Sequence, residues 1–318
     1  MAVLVTGAKG FIGSHLCQEL VQKKYEVREH HRSTPDIVDS GDNNIFFSDL
    51  TSKYSNWDLL LDGVTCVIHC AGRAHVIEDK THNSRDLFWH SNVLTTSYLA
   101  QKAVEYNVGR FIFLSSIGVL GSNTIGRSPF NHLDKPAPTE LYSESKLEAE
   151  IQLQKIMLES SMEVVILRPP LVYGPGMKGN FARLAKLLHI GVPLPLSRVR
   201  NSRSFVAVSN LVDLILKCVD HPSAPGNSFL VSDKSDVSTP ELIRKICFVT
   251  GRRDRMFPVP FHLLRLLGIV TRKSADIEKI TASLQVDIEH TCNVLEWTPV
   301  VNMVQELEKT FAFSNHDS

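Results

Sequence analysis

The strongest constraint on this chain lies near its start, where residues 3–16 read Val-Leu-Val-Thr-Gly-Ala-Lys-Gly-Phe-Ile-Gly-Ser-His-Leu. An apolar, β-branched run leads into Gly7, Gly10 and Gly13, and an amphipathic run begins at Phe11. That order predicts strand, tight turn and helix. Gly7 lets the chain turn off the strand, Gly10 lets a pyrophosphate approach the backbone, and Gly13 lets the helix pack closely on the sheet. The first N–H groups of the helix and the positive end of its dipole then face an anion. This is a phosphate-binding loop. It lacks the G-x-G start of the common dinucleotide fingerprint, so the rest of the chain must specify the ligand.

Downstream, strands are predicted at Tyr25–His30, Asn44–Phe47, Val64–His69, Arg110–Leu114 and Val164–Leu167. Helices are predicted between them at Phe11–Gln22, at Asp86–Tyr106 and around Tyr142. Strands alternating with helices imply an α/β fold with a doubly wound parallel sheet. The 318 residues suffice for a nucleotide domain and a smaller lobe. Residues 1–170 are read as the dinucleotide-binding domain and 171–318 mainly as a substrate-binding α/β lobe. A strand at Ser204–Val208, a helix at Leu211–Val219 and a strand at Ser228–Val231 belong to a segment expected to return to the main sheet. Helices are also expected at Asn180–Ile190 and from Ser238 or Thr239 to Thr250. The apolar stretch Val259–Val270 is short and weakly basic, and reads as a lobe-packing helix rather than a membrane-docking one.

Thirty-four basic and 34 acidic residues leave no net charge. No global field therefore favours nucleic acid or an anionic membrane, and an anionic ligand must be held by local groups. The six cysteines show no C-x-x-C spacing and read as reduced core thiols. Cys66, His69 and Cys70 have metal-ligating chemistry, but they fall in an apolar strand whose side chains alternate between faces, so no metal is expected. A strand beginning at Ala2 leaves no room for a signal peptide, and no apolar run is long enough to span a bilayer. A cytoplasmic protein without membrane insertion is expected.

Cofactor choice depends on the second strand, which ends Glu29-His-His-Arg32. A carboxylate there binds ribose hydroxyls and repels a 2′-phosphate, whereas an arginine pairs with that phosphate. Arg32 together with Lys9 favours NADP(H), while Glu29 leaves NAD(H) open. Asp49 and Leu50 follow the third strand, where the adenine would lie. Ala71 and Gly72 follow the fourth, where small residues admit a cofactor. Ser116 follows the fifth strand. Tyr142 and Lys146 stand one turn apart on one helix face. A phenol has an ordinary pKa near 10, and a neighbouring ammonium should lower it toward useful acid–base chemistry. Ser116 would hydrogen-bond the oxygen that Tyr142 protonates.

Together, Thr6-Gly7-x-x-Gly10-x-x-Gly13, Ala71-Gly72, Asn92, Ser115-Ser116, Tyr142-x-x-x-Lys146 and Arg168-Pro-x-x-Val-Tyr-Gly-Pro resemble the extended short-chain dehydrogenase/reductase family. The resemblance implies a Rossmann domain, a nucleotide-diphospho-sugar substrate, and a homodimer built through the helices starting near Asp86 and Leu141. It also implies that Phe11, Ile12, Asn92 and Pro169 join the cofactor contacts and that Lys146 holds the nicotinamide ribose. Ser116, Arg73, His75, Asn180 and Arg203 would meet the substrate, with Arg203 on the diphosphate. The family's 4,6-dehydratases carry an Asp-Glu pair after the serine or threonine; this chain has Ile117-Gly118. Two C4 reactions remain. NADPH-dependent reduction of a UDP-4-keto-6-deoxy-N-acetylhexose is preferred on Arg32, and 4-epimerisation of a UDP-hexose or UDP-N-acetylhexosamine with retained NAD is the alternative. A non-catalytic NADP-sensing protein is the rival from another class.

Overall fold

The computed structural model describes residues 1–32, 44–47, 50, 57–73, 84–177, 179–271 and 274–314. Asp49 and His75 lie outside the described residues, as does the side chain of Asn180.

The main sheet has seven parallel strands: β1 (Ala2–Thr6), β2 (Glu26–His31), β3 (Ile45–Phe47), β4 (Val64–His69), β5 (Arg110–Leu114), β6 (Glu163–Arg168) and β9 (Ser228–Leu230). Their order is β3-β2-β1-β4-β5-β6-β9. All five residues of β1 are buried, as expected for a strand covered on both faces. Val3 and Val5 join a core with Leu16 and Leu20 of α1 (Phe11–Gln22) and Leu211 and Ile215 of α7 (Val208–Asp220). Leu4, between them, packs on the other face with Leu99 of α4 (Thr95–Glu105) and Leu153 of α5 (Leu141–Glu159). One strand thus supplies two cores through its two-residue period. Strand order reverses between β1 and β4, and the crevice beyond their C-terminal ends is where ligands of open α/β sheets bind.

Three local features depart from the sequence reading. The predicted helix Asp86–Tyr106 is divided into α3 (Ser84–Phe88), a π-helical turn over Trp89–Leu94, and α4. Within it the Thr95 N–H bonds to the His90 carbonyl, five residues back. Strand β8 (Phe205–Ala207) does not enter the main sheet; it pairs in parallel with β7 (Leu171–Tyr173), while β9 does pair with β6. The lobe has its own core of Tyr173, Phe181, Phe205, Ile243 and Leu307. The third difference concerns α9 (Phe261–Val270). It leaves Leu263, Leu266, Ile269 and Val270 exposed and buries Leu264, so it is not chiefly a lobe-packing helix. Among the described residues no helix is long and apolar enough to cross a membrane.

Candidate active site

The glycine loop is shaped by backbone contacts that exclude side chains. Gly7 has φ of 71°, and its N–H donates to the His30 carbonyl at 3.2 Å. A Cβ on Gly7 would lie 2.8 Å from the Ala71 nitrogen, and one on Gly13 would lie 2.2 Å from the Gly7 carbonyl oxygen. The Gly10 N–H closes the turn onto that same carbonyl at 2.8 Å. Helix α1 starts at Phe11 with no side-chain cap and no acidic residue in its first turn. Its first N–H groups, those of Phe11, Ile12 and Gly13, therefore lack intrahelical acceptors. A cradle without side chains at an uncapped helix start fits the pyrophosphate of a dinucleotide.

Around this loop the ends of β4, β5 and β6 meet the first turns of α5. Lys146, 3% exposed, donates from Nζ to the Leu114 carbonyl at 2.8 Å and lies 4.5 Å from the centre of the Phe113 ring. A Cβ on Gly72 would meet Lys146 Nζ at 3.1 Å and Asn92 Oδ1 at 3.3 Å, which explains the glycine. Asn92, on the π-turn, accepts from the Arg73 N–H at 2.8 Å and donates to the Arg73 carbonyl and to Ser145 Oγ. Arg73 is thus fixed through its backbone. Ser116 caps a short 3₁₀ turn by accepting from the Gly118 N–H at 3.1 Å. A Cβ on Gly118 would fall 2.3 Å from Ser143 Oγ, so this loop rests directly on the turn that carries Tyr142. The Pro169 carbonyl accepts from the Ile117 N–H at 2.9 Å and holds the loop from below.

Burial dominates the electrostatics. It pulls the Lys146 amine down to about 8, against the opposing pull of Cys70 and Glu150. It pushes the Tyr142 phenol up to about 12. The expected lowering of the phenol by Lys146 is therefore not what the protein alone produces: the ammonium is spent on Leu114, and desolvation acts against charge on both groups. Tyr142 rests protonated, ready to give a proton.

A buried network beneath the site was not visible in the sequence. Glu150, one turn beyond Lys146 on α5, takes Arg168 in a bidentate pair at 3.0 and 2.6 Å, and Ser115 Oγ donates to the same carboxylate. On the other side, His69 bonds Thr6 Oγ1 at 2.6 Å and Thr96 Oγ1 at 3.0 Å, and Thr96 donates to the Asn92 carbonyl. Burial, with Lys146 and His30 nearby, holds His69 well below the ordinary imidazole range, so it is neutral. Both ring nitrogens are engaged, which accounts for this histidine without a metal.

Other sequence candidates are placed differently. Leu50 is packed in the core beside Leu4 and Trp57. Arg203 donates through Nη1 to the carbonyls of Lys279 and Ala282, so part of its fork already braces the lobe. Lys9 and Arg32 are exposed at the rim of the loop. Glu29, two residues inside the end of β2, pairs with His31 Nε2 at 2.9 Å.

Comparison with known proteins agrees with this geometry. The sequence profile of the NAD dependent epimerase/dehydratase family matches residues 3–231. A Vibrio cholerae protein described as UDP-glucose 4-epimerase is 41% identical over 311 residues, covering 97% of this chain and 94% of its own. The structure of MoeE5 in complex with UDP-glucuronic acid and NAD superposes with a TM-score of 0.79 at 25% identity, covering 100% of both chains. A UDP-glucose 4-epimerase from Thermotoga maritima, solved with UDP-glucose, gives 0.79 at 21% identity over 100% of this chain and 99% of its own.

Proposed function

This chain is an enzyme of the NAD-dependent epimerase/dehydratase family, and from that premise we propose that it epimerises a UDP-sugar at C4 with a retained NAD. The observation that carries the reading is the Ser116 loop resting on the Tyr142–Lys146 turn, in a chain 41% identical to a UDP-glucose 4-epimerase across 97% of its length. The preference for a reductase formed on the sequence gives way here, because the full-length relative points to the epimerase.

The dinucleotide would be held by the glycine loop and the uncapped start of α1, with Ala71, Gly72, Asn92, Pro169 and Lys146 around its nicotinamide end. Bound there, it supplies a hydride acceptor and donor for C4. In the free protein Tyr142 is protonated; with a cationic nicotinamide added beside the Lys146 ammonium its phenol would release that proton to solvent, and the phenolate would take the C4 hydroxyl proton when that carbon is oxidised and return it when the ketone is reduced. Ser116 Oγ donates to the same oxygen and orients it. Lys146, pinned to Leu114, keeps a positive charge near the phenol at neutral pH, since its amine titrates at about 8. Ile117 is buried and Gly118 has no room for a side chain, so no acid stands where an elimination at C5 and C6 would need one. Arg203 and Arg73 are proposed to meet the diphosphate and sugar. Trp89 and Leu94 beside the start of α4, and Ile151 and Leu158 on α5, are exposed apolar side chains that suit a homodimer through these helices.

One observation favours a second reading, NADPH-dependent reduction of a 4-keto sugar. Strand β2 ends at His31, exposed Arg32 follows it, and the Glu29 carboxylate within the strand is engaged by His31. The test is to denature freshly purified protein and identify the released dinucleotide by mass. Stoichiometric NAD is the expected result; an empty site that exchanges NADPH would favour the reductase.

A further inference from the structure

We propose that α9 and the basic segment preceding it form a docking surface for an anionic lipid bilayer. This inference is independent of the C4 chemistry. Helix α9 exposes Leu263 by 47%, Leu266 by 55%, Ile269 by 61% and Val270 by 74%. At 3.6 residues per turn these four fall within about 120° of the helix circumference, on the side opposite Leu264, which faces the protein. Arg265 stands at the edge of that arc. The helix itself contains no acidic residue. A short stripe of aliphatic side chains with a cation at its border is the pattern of a helix that lies in a membrane interface rather than across it.

The charge around the stripe matches an anionic surface. Basic and acidic residues balance over the whole chain, but the described residues 251–271 carry Arg252, Arg253, Arg255 and Arg265 against Asp254 alone. Asp254 is itself neutralised by Arg244 at 3.5 Å. Each such cation near an anionic leaflet strengthens binding roughly fivefold. Apolar burial of the stripe adds to it.

The test uses the full chain in flotation with vesicles. It should float with vesicles of phosphatidylglycerol and phosphatidylcholine at low salt, be released by high salt, and stay behind with phosphatidylcholine alone. Leu266→Glu/Ile269→Glu and, separately, Arg252→Glu/Arg253→Glu should each lower partitioning at least about tenfold with an unchanged melting temperature. Failure to float with the anionic vesicles overturns the proposal, as does wild-type partitioning by both double variants. If neither wild type nor variant binds vesicles and Leu266→Glu/Ile269→Glu turns a dimer into a monomer, the stripe belongs to a second copy of this chain, and the proposal falls.

Discussion

The crevice over the sheet and the C-terminal lobe hold their cationic side chains under different rules, although the lobe too buries carboxylates, Asp233 and Glu306. In the crevice Lys146, Glu150 and Arg168 are 3%, 1% and 6% exposed, and each is fixed by named partners. In the lobe Arg198, Arg200 and Arg265 are exposed at the surface, and Arg203 donates to the backbone carbonyls of Lys279 and Ala282. A buried charge with fixed partners needs no reorganisation when charge moves in a reaction. An exposed one costs little and can be spent on recognition. On the proposed function, the chemistry is preorganised on the sheet and recognition is left to the exposed side chains of the lobe.

The contrast can be broken most forcefully at Glu150. Replacing it with Gln leaves the Arg168 guanidinium buried without its counter-charge, and unfolding in urea should show a loss of about 3–5 kcal/mol. A loss under about 1 kcal/mol would mean the crevice is no more rigid than the lobe. Tyr142→Phe removes the movable proton while keeping the ring. It should lower kcat at least ~100-fold, with KM and melting temperature little changed. Lys146 gives a prediction in pH. Its amine sits at about 8, below its usual 10.5, so across that window the unfolded chain holds a proton the folded chain has released. Its contribution to stability therefore rises with pH. The stability of the wild type relative to Lys146→Met should increase by about 2 kcal/mol between pH 8 and 10; a flat difference would contradict the burial argument. At the small end, Arg200→Ala, exposed in the lobe, should change stability by no more than about 0.5 kcal/mol.

These two regions also differed in how far the sequence revealed them. The glycine loop was legible because its requirements are steric: no other residue fits where a Cβ would lie 2.2 Å from a carbonyl oxygen, as at Gly13. The placement of Ser116 at a strand end and of Tyr142 and Lys146 in the first turns of one helix was legible because each follows from local period and spacing. The Glu150–Arg168 pair was not, since it joins a helix to a strand and no period encodes it. Nor was the π-turn at Asn92, which keeps helical composition while shifting the register by one residue. The expected fall in the Tyr142 pKa failed because charge proximity was weighed without desolvation, and burial acts on both partners. The apolar run at α9 read as core because sequence records hydropathy and not which face is covered.

The central claim is that hydride leaves C4 and returns to C4 within one bound complex. Incubation with UDP-glucose deuterated at C4 tests it most directly, with the product analysed by mass spectrometry and added NADPH followed by absorbance. The account predicts a UDP-galactose product that keeps its deuterium at C4, with no net consumption of NADPH. Loss of the label from C4 in the epimerised product would contradict it. So would the absence of any UDP-galactose from protein that oxidises NADPH stoichiometrically with a 4-keto sugar.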